Sequence, residues 1–424
     1  MRWVTLDSGW IPPGRQAPTN GVNHVTQTHS DEPLHQRVTS GETDLDEFRD
    51  RLTAWLAARD EVDAFAGVEV SAVSRPESSG MSNISVLFDA SWTPAETSKS
   101  GAPNSGGSTG RKSAQLVARM CPQDDAFPVF PVYDLQKQFD VMRVVGEHTD
   151  LPVPRVRWLE QDPAILGTPF LVMDRATGRA PVDNPPYVFD GWLLEMAPEQ
   201  RREFQRESVA VLAAIHQISR PAELVPSLAP NPGSVAAGVD GDTGSTALRA
   251  HVDEQRAYYE WTTREDGLRI PVIEHAFDWI ESHWPDETGP DVLSWGDARI
   301  GNILYVGTTP AAVLDWEMAA IAPAEVDLGW FLYFHDLFQD LAVTFEFPGI
   351  PDLFAHREVV EQYEHLTGSP VRDLPFYYVY AGLRQAIILS RITRRRIHFG
   401  EQDAPAHPDE YVLHHTMLAR LIAD

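Results

Sequence analysis

Apolar and polar positions follow two different rhythms along this chain. Up to about Gly178, short runs fit half-buried strands, whose side chains alternate between two faces. These are Val68 to Val73, Ile84 to Phe88, Gln115 to Met120, Val153 to Leu159 and Pro169 to Arg175, with a helical stretch from about Asp134 to Glu147 between the third and fourth. After Pro181 the period lengthens. Pro198 to Ser219 places Phe204, Val209, Leu212, Ala213 and Ile215 on one helical face, a stripe suited to packing on a core. Further helices are predicted over about Thr246–Arg264, Pro271–Trp284, Ala324–His335, Pro351–Leu366 and Asp373–Ile397, with three short apolar runs, Val292–Ser294, Ile303–Val306 and Ala312–Leu314, set among them. Two segments show no period. Met1 to about Glu42 mixes Gly, Pro, Thr, Asn and His, and Pro94 to Arg111 is a Ser/Gly/Pro/Thr stretch; both compositions predict loose chain without a chemical role. The division is therefore a loose extension (1–42), a strand-rich part (43–178) and a helical part (179–424).

The short runs in the helical part enclose the candidate chemistry. Trp295-Gly296-Asp297-Ala298-Arg299-Ile300-Gly301-Asn302 is followed, after an apolar strand, by Val313-Leu314-Asp315-Trp316-Glu317. An Asp, an Asn five residues on and a second Asp thirteen beyond it form the spacing with which kinases place a base and two metal ligands around a triphosphate. Phosphoryl transfer asks for an aligned acceptor hydroxyl, a group to take its proton, and cations to offset phosphate charge. Asp297 fits the base. Asn302 and Asp315 supply the oxygen ligands that magnesium prefers, and Arg299 is a bidentate donor placed to meet the travelling phosphate. Taken alone, Asp297 to Asn302 also fits an ordinary polar turn. What a turn leaves unexplained is the second strand that ends directly on Asp315.

These residues carry a resemblance. W-G-D-A-R-I-G-N-I-L, V-L-D-W-E-M-A and E-V-D-L-G-W are similar to motifs of the aminoglycoside phosphotransferase family, and more narrowly to the kinase-like domain found alone in actinobacteria and fused to some acyl-CoA dehydrogenases. The resemblance runs from about Asp44 to the C-terminus. It implies an α+β, protein-kinase-like two-lobe fold, with a small antiparallel sheet lobe and a larger, mainly helical one. It also implies ATP, Mg2+ and a small hydroxylated acceptor.

On that basis the turn from Ser78 to Asn83 covers the phosphates, with Ser82 and Asn83 at its tip; an ordinary serine-rich turn is an equal reading. Arg119 takes the place of the kinase lysine, and Gln138 stands at the position best aligned with the helix glutamate that would pair with it. That pair lacks its compensating charge. Met173, Asp174 and Arg175 are placed at the hinge, whose backbone holds the adenine edge. Asp327 is expected either to accept hydrogen bonds from the catalytic loop or to serve as a helix-start acid, and His216 is left outside the site.

Composition narrows the alternatives. The chain has 424 residues, 43% of them hydrophobic, and a net charge of −28 with a pI near 4.8. Such acidity argues against nucleic acid or an anionic membrane as partner, and no protein partner is indicated. No run approaches the roughly twenty apolar residues of a membrane span, and Met1 to Gln16 lacks a signal-peptide pattern. The lone Cys121 excludes an internal disulfide, so a reducing, cytoplasmic setting is expected. Arg384, Arg391 and Arg395 share one face of the last long helix; they either receive an anionic substrate such as a CoA thioester or pair with the chain's own acids. Two function classes follow: an ATP-dependent small-molecule kinase acting on a hydroxyacyl-CoA or related metabolite, or on an aminoglycoside, and a nucleotide-binding pseudokinase or regulatory protein without turnover.

Overall fold

The computed structural model describes residues 45–59, 65–76, 83–94, 111–122, 127–228 and 247–423. Ser82, the extension to residue 42 and most of the 94–111 loop lie outside the described residues. Helix α1 (Leu45–Ala57) precedes three strands, β1 (Phe65–Ser74), β2 (Ile84–Pro94) and β3 (Lys112–Met120). Helix α2 (Leu135–His148) then leads to β4 (Val156–Glu160) and β5 (Phe170–Asp174). The five strands form one antiparallel sheet in the order β1-β2-β3-β5-β4.

Strand alternation sorts this sheet's side chains. Leu116, Ala118 and Met120 of β3 join Phe88, Phe170 and Val172 in a core closed by Phe48, Leu52, Trp55 and Leu56 of α1. Each such buried large side chain contributes roughly 1.5–3 kcal/mol. The sequence pattern had not indicated α1. Val117 and Arg119 fall on the opposite face, and Val117 packs with α2 in the main core; Arg119 is thereby aimed into the cleft.

The rest is mainly helical: α3 (Pro198–His216), α4 (Pro221–Leu224), α5 (Ala247–Thr262), α6 (Pro271–Ser282), then β6 (Asp291–Ser294), β7 (Ile303–Val306), β8 (Thr309–Val313) and β9 (Ala320–Pro323), and finally α7 (Glu325–Thr344), α8 (His356–Thr367), α9 (Leu374–His398) and α10 (His415–Leu421). The expected α+β, two-lobe architecture is present. α7 runs past its expected end at His335, because Leu337, Phe338, Leu341 and Ala342 continue its buried face. α8 starts at His356, not Pro351, since Leu353 and Phe354 turn inward to the core. α7 and α9 lie so close that a Cβ on Gly329 would stand 2.5 Å from the Tyr377 carbonyl oxygen.

Of the two readings of the α9 arginine row, the ligand-receiving one needs correction, while pairing with the chain's own acids is seen at Arg391, 3.7 Å from Glu265. Arg384, Arg391 and Arg395 are buried, so they do not present a surface to a ligand. Arg391 donates to the Pro128 carbonyl at 2.9 Å and stacks on Phe127 and Trp261, which ties α9 to the segment entering α2. Its aromatic neighbours explain why the pattern misled: the helix is buried nearly all round.

Three histidines in this core carry a testable consequence. Burial pushes His251 down to about 3, and His335 and His414 to about 4, from an ordinary 6.5. Between pH 6.5 and about 4 the unfolded chain binds protons that the folded chain refuses, so stability falls on acidification by up to ~1.4 kcal/mol per pH unit per histidine. Thermal melting between pH 7 and 4.5 should show this slope. His414→Gln, whose amide can still donate to the Gly382 carbonyl as the imidazole does, should make it shallower; an unchanged slope would exclude this histidine as a source.

Candidate active site

The candidate catalytic loop links β6 to β7, and its shape depends on one glycine. Gly296 has φ +86°, and a Cβ there would lie 2.0 Å from the Met318 carbonyl oxygen, so no other residue fits the turn that presents Asp297. The loop is gripped from behind by Asp327 in the first turn of α7. Its fully buried carboxylate accepts from the amides of Trp295 (2.6 Å) and Gly296 (3.0 Å), from Ser294 Oγ (2.8 Å) and from His216 Nε2 (3.0 Å). Burial pushes this carboxyl up, but its partners, His216 foremost, outweigh that and hold it below the usual carboxylate value. The supporting role is therefore the one the structure displays. His216, left aside on sequence grounds, belongs to this support, with Nδ1 2.8 Å from the Tyr363 hydroxyl.

Asn302 joins the loop of Asp297 to the loop of Asp315. Asn302 Nδ2 donates to Asp297 Oδ2 (2.7 Å) and to its backbone carbonyl (2.9 Å), while the Asn302 carbonyl accepts from Leu314 N at 2.9 Å. One asparagine thus ties the first acid to the residue that precedes the second. With its nitrogen engaged, the side chain keeps Oδ1 for a cation. Asp315 follows β8 with φ +65°, a left-handed conformation that costs a non-glycine residue of order 1 kcal/mol or more and collects at functional sites.

Arg119 bonds Asp315 Oδ1, and its Nη2 also reaches Glu317 Oε2 at 3.2 Å. Burial alone pushes the Asp315 carboxyl up; the Arg119 charge reverses this and leaves it below the usual range. Gln138 is buried, but the hydrogen bonds of the Arg119 guanidinium run to Asp315 and Glu317 and its Nε has no partner, so the expected pairing of Gln138 with Arg119 is not found. The compensating carboxylates come from the Asp315-Trp316-Glu317 loop. A guanidinium, longer and wider than an ammonium, can bridge to them across the cleft. Asn83 also donates to Glu317 Oε2, which fastens the start of β2 to the same loop and turns its amide away from a phosphate-covering task.

Arg299 departs from expectation too. It is 6% exposed, its Nε lies 3.1 and 3.2 Å from the two oxygens of Asp297, and its Nη1 is bonded to Asp183. Its donors serve two carboxylates before any phosphate. At the hinge, the amides of Asp174 and Arg175 are taken by the carbonyls of Arg155 and Gln115, both at 2.9 Å, and Met173 sits in the ladder with Val117. Those amides are not open to an adenine edge. Sequence reasoning also passed over Glu317, Asp183 and Trp330, whose indole N–H donates to Asp297 Oδ1 at 2.9 Å. The available signals were Glu317 two residues after Asp315 and Trp330 one helical turn after Asp327; Asp183 gave none.

A small sheet lobe and a helical lobe, with two acids and an amide carried on the loops between, are the parts of a kinase-like phosphotransferase. The model of the phosphotransferase enzyme family (APH) matches residues 108–358, and the chain belongs to that family. It is similar to Probable acyl-CoA dehydrogenase IBR3 of Arabidopsis thaliana, 26% identical over 274 residues that cover 62% of this chain and 31% of the relative. Acyl-CoA dehydrogenase family member 11 of Homo sapiens is 24% identical over 222 residues, 52% of this chain and 25% of the relative. The chain thus spans about a third or less of the length of these curated relatives. Among solved structures, a Ralstonia eutropha JMP134 protein classed by name as an aminoglycoside phosphotransferase superposes with a TM-score of 0.56 at 21% identity, covering 88% of this chain and 96% of that one; the likeness shows the fold. Among the described residues no helix is long and apolar enough to cross a membrane.

Proposed function

We propose that the chain transfers the γ-phosphate of ATP to a hydroxyl of a small molecule. The observation that carries this reading is the double bond of Asn302, through its side chain to Asp297 and through its backbone to Leu314, which gathers base and metal ligands. Asp297 takes the acceptor's proton. Asn302 Oδ1 and the Asp315 carboxylate are hard oxygen donors suited to Mg2+, which keeps waters and phosphate oxygens as its remaining ligands; when bound, the ion offsets charge on the phosphates. Arg119, held by Asp315 and Glu317, stands ready to exchange a carboxylate for a phosphate oxygen. The adenine edge falls to the backbone just past Arg175, at Ala176 to Gly178. Arg299 orients the base and does not touch the phosphate.

For the acceptor we favour a hydroxyacyl thioester, because the curated relatives join a region like this one to proteins named acyl-CoA dehydrogenases. A polycationic aminoglycoside would need clustered carboxylates. Near the C-terminus the acids Asp403, Asp409 and Glu410 are scattered, and Asp409 accepts from Val272 N and Glu410 from His407 N, so one oxygen of each of these two already serves the fold. Of the features that motivate the pseudokinase reading, Trp295 in place of the usual histidine, Arg119 and Gln138, the missing charge at Gln138 is answered by Glu317.

The test is magnesium-dependent ADP formation from ATP, alone and with hydroxyacyl-CoA and aminoglycoside acceptors. Hydroxyacyl-CoA should stimulate turnover; stimulation by aminoglycosides alone would overturn the acceptor, and no turnover with any acceptor would favour the non-catalytic reading. Mg-ATP at a hundred times its Kd should stabilise the protein by ~2.7 kcal/mol. Asp315→Ala should lose most of that thermal shift, and an undiminished shift would remove Asp315 from the metal site.

A further inference from the structure

We propose that Trp330, backed by Arg384, is a positioning residue of the transfer step: its indole N–H fixes the carboxylate of Asp297 relative to the loop that carries it. The proposal rests on the reading of Asp297 as base. Trp330 stands one turn after Asp327 on α7, so a single rigid helical turn holds both the loop backbone, through Asp327 to the Trp295 and Gly296 amides, and the base itself, through the 2.9 Å bond to Oδ1. An indole can only donate. It therefore favours the ionised carboxylate without adding a charge that would compete for phosphate. With Arg299 on both oxygens and Asn302 on Oδ2, rotation about the Cβ–Cγ bond of Asp297 is blocked from three sides.

Arg384 is the second observation. It is 1% exposed and, among the described residues, forms no ion pair and leaves Nε and Nη1 without partners. Its one hydrogen bond runs from Nη2 to the Gly296 carbonyl at 3.0 Å. Burial pulls its pKa below the ordinary guanidinium value. A buried cation left this poorly paired costs stability, so a purely structural purpose accounts for it badly. Its guanidinium carbon lies 4.4 Å from the centroid of the Trp330 ring. A cation on that face is attracted to the ring quadrupole and draws electron density from the indole, which makes the N–H a stronger donor to Asp297. The same cation bonds the residue before the base. Donor, ring and loop are thus locked as one unit.

The experiment uses the full chain and ATP with water as acceptor. Trp330→Phe keeps the ring on Arg384 and removes the donor. Loss of the donor should lower kcat roughly 10- to 100-fold, the scale of a misplaced catalytic group, with KM for ATP nearly unchanged. A variant that melts earlier but keeps kcat would overturn the proposal. An activity-independent readout is the 1H–15N spectrum of the 12 tryptophan indoles. One resonance, absent in Trp330→Phe, should lie downfield as that of a hydrogen-bonded N–H in the wild type and move upfield in Asp297→Ala, where its acceptor is gone. If no indole behaves so, the proposal falls even where the Phe variant does not fold. A wild type that never turns over ATP would sink the functional reading, while the indole resonance would still decide this contact.

Discussion

Asp297→Asn is expected to lower turnover by about 10²- to 10⁴-fold, the usual worth of a positioned general base, while magnesium-nucleotide affinity stays close to that of the wild type. The substitution keeps the shape of the side chain and removes its charge and its proton-accepting capacity. Its NH2 replaces one acceptor oxygen and leaves either Trp330 Nε1 or Asn302 Nδ2 without its acceptor, a local cost that spares the rest of the site. Arg299 retains Asp183 as counterion, and the loop backbone remains on Asp327, so neither a buried unpaired cation nor a collapsed loop is created. Affinity is preserved because the proposed metal ligands, Asn302 and Asp315, are untouched. Steady-state kinetics together with calorimetric titration of nucleotide separate the two effects. A rate within a factor of two of wild type would place the base elsewhere; loss of binding along with rate would mean that Asp297 belongs to the metal site.

What could be read from the sequence was what is local. The Asp297, Asn302 and Asp315 spacing works because two short hairpin strands, β7 and β8, carry the chain out and back over a fixed distance, and the Asn302–Leu314 bond closes that path. Strand alternation likewise aimed Arg119 correctly. Its partner was not legible, because Glu317 lies 198 residues away and the choice between Glu317 and Gln138 is made by tertiary packing. The hinge was found as a segment, but which amides stay free depends on a β-ladder that no residue type announces. The α9 arginines were legible only in part: Arg391 does pair with an acid of the chain, Glu265, but a face of regularly spaced charges normally signals solvent, and here aromatic rings and backbone carbonyls surround the guanidiniums. Trp330 could be seen only with hindsight, since its spacing from Asp327 places both on one helical face but does not say that the face meets the catalytic loop.

Asp327→Ala should destabilise the fold by about 3–5 kcal/mol, the range for breaking a buried charged network by removing one partner. Four donors would be left behind at once, the Trp295 and Gly296 amides, Ser294 Oγ and His216 Nε2, in a place that water does not reach. Asp327→Asn retains one acceptor oxygen and should cost less. Because the folded-state pKa of Asp327 is depressed, its stabilisation is present above the ordinary carboxylate value of about 4 and is lost as pH falls through the folded value. The stability gap between wild type and Asp327→Ala should therefore narrow as pH drops below about 4, as urea unfolding at pH 7 and at successively lower pH would show. A cost under about 1 kcal/mol at pH 7, or a gap that widens with acid, would mean that the loop is held by Trp330 and Arg384 and that the carboxylate is incidental.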